Sequence, residues 1–180
     1  MFLSITFVAI MSSIFIRESL NGDFSSWPDA LGRVLCSALP LSLLVVKKIP
    51  FNLYLIISYY LLLFCTFFLG AILKFYDRFH WWDTMLHFFG SAFMAFVGLA
   101  IYKLLLPNRL EKGISRWMVF LFVFSFAVTG SVLWESAEFA GAVLGTMEED
   151  NNRDTMTDLL MGVAGGIVSA SYASLQKRTA

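Results

Sequence analysis

The apolar stretches of this chain are long enough to cross a lipid bilayer, and they constrain its fold more than any other feature. A helix needs about 20 apolar residues to span a hydrocarbon core about 30 Å thick. Six stretches meet or approach that length, at residues 2–16, 30–46, 51–75, 82–106, 117–144 and 156–174. We therefore predict an all-α, polytopic transmembrane bundle of about six helices, in which residues 1–180 form a single integral membrane domain.

The composition argues against a soluble domain. Hydrophobic residues make up 58% of the chain and charged residues 14%, whereas soluble domains are roughly half apolar and a quarter charged. The sequence shows no glycine-rich nucleotide-binding loop and no basic stripe suited to nucleic acid. The lipid bilayer is the predicted partner, and nucleic acid is not expected.

The first two apolar stretches are weaker candidates for full spans than the other four. The first is short, and the second carries Arg33 and the kink-prone Pro40, so either could be tilted, interfacial or re-entrant. Arg17 and Glu18 follow the first stretch where a signal peptide would have a small-residue cleavage site. We therefore expect the first stretch to be retained as an anchor.

The distribution of basic residues predicts an orientation in the cell membrane. With a cytoplasmic N-terminus, eight basic residues lie inside and four outside: Lys47, Lys48, Lys103, Arg109, Lys112, Arg116, Lys177 and Arg178, against Arg17, Lys74, Arg78 and Arg153. The positive-inside rule then places both termini in the cytoplasm. The same assignment leaves most of the acidic residues outside.

Small residues mark the last predicted helix. Gly162 and Gly166 form a GxxxG motif, and Gly90 and Gly98 lie in the fourth stretch. Such residues let helix backbones approach closely in lipid. Packing within one chain is the simpler interpretation, and a homodimer face is the alternative.

Ionisable side chains occur in pairs within the predicted helices. The pairs are spaced i,i+4, i,i+3 and i,i+4: Asp83 and His87, Glu135 and Glu138, and Asp154 and Asp158. These spacings place both members of a pair on one helix face. Because the helices alternate in direction, we expect the three pairs to share one depth, in the outer half of the bilayer.

Four of these residues lie too deep in their helices to be caps: His87, Glu135, Glu138 and Asp158. An acid at the bilayer centre costs at least about 2.5–3.5 kcal/mol, so such residues normally face the bundle interior and have partners. We take the four as candidate catalytic residues and as candidate ligands of a divalent metal ion. Asp83 and Asp154, in first turns, are predicted to cap their helices instead.

The chemistry of this set leaves several alternatives open. One imidazole with several carboxylates suits Zn, Mn or Fe better than a thiolate metal. The same groups could relay protons, because histidine titrates near neutral pH. A purely structural network of hydrogen bonds is the third alternative.

Two arginines flank the acidic set. Arg78 and Arg153 could hold the phosphate of a lipid head group, or they could simply neutralise the acids. The loop residue His80 lies among interfacial aromatic residues and is predicted to be solvated.

Several motifs, taken in order, resemble a known family. They are Tyr76-Asp77-Arg78, Trp82-Asp83-x-x-x-His87-Phe88-Phe89-Gly90, Glu135-x-x-Glu138 and Asp154-Thr155-x-x-Asp158. The set resembles the YjdF family of uncharacterised bacterial inner-membrane proteins and, more distantly, VanZ-like proteins. VanZ-like chains usually have Asn a few residues after the second Asp, where this chain has Gly162. The resemblance implies a bacterial membrane protein and brings no settled activity with it.

These observations lead to one leading hypothesis and two alternatives. The leading hypothesis is a membrane-embedded site that binds a cation or lipid head group in envelope metabolism. If the protein is an enzyme, metal-assisted or acid–base hydrolysis at a head group is the most economical class, with His87 or a Glu as the base. The alternatives are a small proton-coupled transporter and a non-catalytic protein.

Overall fold

The computed structural model describes residues 2–20, 27–42, 52–106, 113–145, 147 and 151–176. Within these ranges the regular structure is entirely helical, which confirms the predicted all-α class. The α-helices, numbered in chain order, are α1 Phe2–Leu20, α2 Trp27–Ser42, α3 Leu53–Leu63, α4 Phe75–Arg78, α5 Trp82–Leu105, α6 Arg116–Val143 and α7 Asn152–Gln176. A π-helical segment, Phe64–Ile72, continues α3.

Five helical stretches are long and apolar enough to cross a membrane. They are Leu3–Leu20, Leu53–Ile72, Trp82–Leu105, Arg116–Val143 and Asn152–Gln176. The predicted first stretch thus extends further, to Leu20. A polytopic helical bundle is confirmed by these five.

The second predicted stretch, 30–46, is described only as far as Ser42, within α2. Among the described residues its apolar part is Ala30–Leu41, shorter than the about 20 residues of a full span. Pro40 lies inside α2, close to the end of the helix at Ser42. Residues 43–46 of the prediction lie outside the described residues.

The N-terminal unit comprises residues 1–49 together with 138–149. In it α1 packs against α2, and the buried side chains at this contact are small or flexible: Ser4, Met11, Ala30 and Ser37. A guanidinium nitrogen of Arg33 lies 3.9 Å from a carboxylate oxygen of Glu18. The Arg33 that the sequence places in an apolar helix is therefore close to an acid of the same unit.

The central unit comprises residues 50–137 and 150–180, and it contains α3, α4, α5, α7 and most of α6. α5 and α7 pack along their lengths, and α3 packs on α5. The core cluster consists of small or β-branched residues, Ala95, Val119, Val123, Ala127, Ala170 and Ala173. Because these side chains are short, the helix backbones lie close together.

A tight corner joins the third span to α5. The π-helical segment ends at Ile72, and Lys74 takes a left-handed conformation with φ of 58° before α4 begins. The ring of Tyr76 packs directly over Gly70, where any Cβ would collide with it. The span predicted as 51–75 therefore ends at this corner, three residues earlier than predicted.

Candidate functional site

His87 lies in the second turn of α5 and contacts two carboxylates at once. Its Nδ1 is 3.2 Å from Oε1 of Glu135, and its Nε2 is 3.6 Å from Oδ1 of Asp83. Asp83 precedes His87 by four residues, so the two share one helix face. The imidazole, only 7% exposed, joins α5 to α6.

Glu135 ends a buried stripe on α6. Every fourth residue of this helix from Val119 onward is buried: Val119, Val123, Ala127, Ser131 and Glu135. The stripe changes from apolar to polar at Ser131. Glu135 is therefore carried into the bundle by the same helix face that builds the core, and it is 8% exposed.

Asp158 enters the cluster from α7 and is 5% exposed. Oxygen and nitrogen atoms of Asp83, His87 and Asp158, one from each residue, all lie within 4.8 Å of one another. Of the predicted residues, the structure thus brings together His87, Glu135 and Asp158 within the central unit. It adds Asp83, whose side chain is 40% exposed.

Two glycines of α7 make this convergence possible. A Cβ on Gly162 would collide with the hydroxyl oxygen of Ser131, and one on Gly165 would collide with the backbone carbonyl oxygen of Phe88. Ser131 lies one turn before Glu135, and Phe88 follows His87 directly. The two glycines therefore let α7 approach α5 and α6 beside the ionisable cluster, so Gly162 of the GxxxG motif serves packing within the chain.

The donor set suits a hard or borderline divalent cation. Imidazole nitrogen with carboxylate oxygen is typical of Zn, Mn and Fe sites. In a tetrahedral site with metal–ligand distances of about 2.0–2.2 Å, ligand atoms are about 3.3–3.6 Å apart. Ligand atoms within 4.8 Å of one another need only small movements to reach that spacing.

Glu138 lies on α6 three residues after Glu135 and is half-buried. It begins the stretch 138–149, which belongs to the N-terminal unit. Its predicted role at the site therefore stays a prediction.

The remaining predicted residues lie at the surface. Arg78, His80 and Arg153 are exposed. The predicted cap Asp154 is also exposed, and its carboxylate accepts a 2.5 Å hydrogen bond from the side-chain amide of Asn151.

Two features of the site were missed from the sequence. Asn151 caps α7, since its Oδ1 accepts hydrogen bonds from the backbone N–H groups of Arg153 and Asp154. Asp83 was predicted to be a cap, yet its carboxylate lies beside His87. The i,i+4 spacing to His87 was the signal that could have assigned Asp83 to the site.

Comparison with known proteins supports the conclusion that this chain is a membrane protein. The family model described as "Predicted membrane protein (DUF2238)" matches residues 1–179. A Thermotoga maritima protein described as an uncharacterized protein is 29% identical over 113 residues, which cover 61% of this chain and 56% of the relative. The aligned region thus spans little more than half of that relative's length. No solved structure matches significantly. The chain belongs to the DUF2238 family of predicted membrane proteins.

Proposed function

We propose that the protein binds a divalent cation inside the membrane, using Asp83, His87 and Asp158 as ligands. One observation carries the proposal: one oxygen or nitrogen atom from each residue lies within 4.8 Å of the other two. Asp83 and His87 lie on α5, and Asp158 lies on α7, so regular helices hold all three ligands. The site sits in the central unit, on the two helices that pack most extensively, α5 and α7.

Glu135 has a supporting role in this proposal. Metal-binding histidines usually donate their second ring N–H to a carboxylate, which fixes the tautomer and the ring orientation. The 3.2 Å distance from Nδ1 of His87 to Oε1 of Glu135 suits that hydrogen bond. Nε2, which faces Asp83, is then the nitrogen left for the cation.

Charge balance also favours a cation. The three acids Asp83, Glu135 and Asp158 carry three negative charges when ionised, and two of them are buried. A buried, uncompensated carboxylate is costly, so such groups are paired, protonated or bound to metal. A divalent cation offsets most of this charge without protonating the acids.

The orientation of α5 in the membrane and the exposure of Asp83 suggest where a substrate would reach the cation. Asp83 is the more open of the three ligands, so a substrate approaching from the end of α5 would reach the cation beside it. With both termini in the cytoplasm, which requires the second stretch to cross the membrane as well, that end faces the outer leaflet. We propose metal-assisted hydrolysis or binding of a lipid head group there, in envelope metabolism, with Arg78 and Arg153 as phosphate contacts. The ordered motifs support a place for the chain among YjdF-like proteins, distantly related to VanZ-like ones.

Manganese binding tests the proposed function. Mn²⁺ is titrated into detergent-purified protein and followed by electron paramagnetic resonance, which also detects nitrogen coupling from a histidine ligand. We expect one bound ion with nitrogen coupling, lost in Asp158→Asn and His87→Asn but kept in the exposed control Asp154→Asn. Failure of Mn²⁺, Zn²⁺ and Fe²⁺ to bind would overturn the proposal.

Proton relay is the second candidate, and one observation favours it. His87 joins Asp83, which is 40% exposed, to Glu135, which is buried. Such a chain could pass protons between the surface and the interior. In that case metal does not bind, and Asp83→Asn in proteoliposomes slows proton uptake measured with an internal pH dye. Unchanged uptake together with unchanged metal content would leave only a structural network.

A further inference from the structure

An apolar groove of about 950 Å³ runs along the central unit between α3, α5 and α7. On α5 its lining includes Phe89, Phe96 and Lys103, which recur every seven residues, nearly two helical turns, and so share a face. Phe89 lies two residues after His87, about 200° around the helix. The groove therefore lies on the opposite face of α5 from the ionisable cluster.

The groove is longer than the thickness of one leaflet of the bilayer. Its lining on α5 extends from Met85 to Lys103. At 1.5 Å per residue this is about 27 Å, close to the thickness of the hydrocarbon core, about 30 Å. The lining rings of Phe96 and Tyr172 are 6.2 Å apart, and the lining ring of Phe93 is 5.9 Å from Tyr59 beside the groove.

Polar groups are concentrated at one end of the groove. There the start of α3 provides Asn52, the end of α5 provides Lys103, and the end of α7 provides Gln176. The amide of Gln176 donates a 2.6 Å hydrogen bond to the hydroxyl of Tyr172. The other end is lined by residues such as Leu62 and Leu86. Among the described lining residues, Lys103 is the charged one.

We propose that this groove binds an anionic phospholipid, with one acyl chain along α5 and the head group beside Lys103. An elongated apolar channel with one cationic, polar end is complementary to that molecule in both shape and charge. Basic residues close to a bilayer surface attract anionic lipids. The proposal does not depend on the metal site, which occupies the other face of α5.

Loss of the charge tests the head-group contact. Protein is extracted from vesicles of equal parts phosphatidylglycerol and phosphatidylcholine, and bound lipid is counted by native mass spectrometry. We expect Lys103→Gln to reduce the preference for phosphatidylglycerol about fivefold, since one basic residue contributes about that factor. The control is Arg116→Gln, which removes an exposed charge from the start of α6, away from the groove lining. Equal preference in the two variants would overturn the proposal.

Filling the groove tests the acyl-chain contact. Ala92→Trp places an indole in the middle of the lining, and we expect it to lose bound lipid of both kinds. Leu160→Trp, on a residue that is 68% exposed and outside the groove, should keep it. Lipid retained equally by both tryptophan variants would overturn the proposal. Loss of a dimer in Ala92→Trp would also overturn it, because a second copy of the chain would then occupy the groove. If Ala92→Trp fails to fold, the Lys103→Gln comparison still decides.

Discussion

The two faces of α5 differ in both polarity and size. One face carries His87, Ser91 and Gly98, all buried against α6 and α7. The opposite face carries Phe89 and Phe96, which are 51% and 36% exposed. The pattern is the reverse of a soluble helix, in which the large apolar side chains would be buried. From His87 onward the residues of this helix that are buried are polar or small, whereas the large apolar residues Trp82 and Leu86 are buried at its start.

This burial pattern follows from the lipid that surrounds the helix in place of water. Lipid tails are as apolar as the large side chains, so burying a phenylalanine gains little, whereas burying an acid or an imidazole among partners avoids a large cost. Small residues then allow the backbones to meet. Substitutions on the two faces of the bundle should therefore have very different effects.

The largest loss of stability is expected from Gly165→Ala. The added methyl group would collide with the backbone carbonyl of Phe88, which has no rotamer to change. We expect a loss of about 2–3 kcal/mol in unfolding free energy, at the upper end for overpacking, measured by denaturant unfolding in detergent micelles. Gly90→Ala is the matched control, because a Cβ there meets nothing within 4 Å. Equal stability of the two variants would show that α5 and α7 are not in contact at Phe88.

The next largest effect is expected on the affinity for the cation rather than on the stability of the fold. Glu135→Gln keeps an acceptor beside Nδ1 of His87 but removes its charge, and changes to such supporting partners typically weaken metal binding about 10- to 100-fold. Isothermal titration with Mn²⁺ measures the change, with Asp154→Asn as the exposed control. An unchanged affinity would mean that Glu135 does not act through His87.

Gly162→Ala should be milder than Gly165→Ala. Its added methyl group meets the hydroxyl of Ser131, which can rotate away, and lies 2.9 Å from the Cβ of Ser131, a contact that a small shift of the helix relieves. We expect a loss of about 1 kcal/mol. Combining it with Ser131→Ala should cost less than the sum of the two single changes, because the collision is partly removed. Strict additivity in the double-mutant cycle would contradict this contact.

The smallest effect is expected on the groove face. Phe89→Ala should change the unfolding free energy by no more than about 0.5 kcal/mol, as for other exposed positions, whereas a buried phenylalanine costs about 3–5 kcal/mol. Unfolding in micelles checks this value. A loss above about 2 kcal/mol would mean that Phe89 is part of a packed core, and the contrast between the faces of α5 would fail.

Much of the fold was predictable, because hydropathy fixes membrane helices closely. The predicted stretch 82–106 matches α5 to within one residue, and 117–144 matches α6 to within one at each end. The corner at Lys74 was missed, since the apolar run continues through the π-helical segment without a break in composition.

The site was predictable in part for a related reason. Helical spacing and the cost of acids in lipid identified His87, Glu135 and Asp158, which the structure brings together. Asp83 was assigned to the helix start because a first-turn acid satisfies the general pattern of a cap, and its contact with His87 was missed. The close packing of Gly162 on Ser131 depends on how three helices meet, which sequence spacing within one helix cannot specify.

Metal content tests the central claim most directly. Elemental analysis of purified protein is run on the wild type, on Asp158→Asn, on His87→Asn and on the exposed control Asp154→Asn. The account predicts about one divalent ion per chain in the wild type and the control, and loss of that ion in the other two variants. Wild-type protein without metal that also takes up none when supplied, or metal kept in all four proteins, would contradict it.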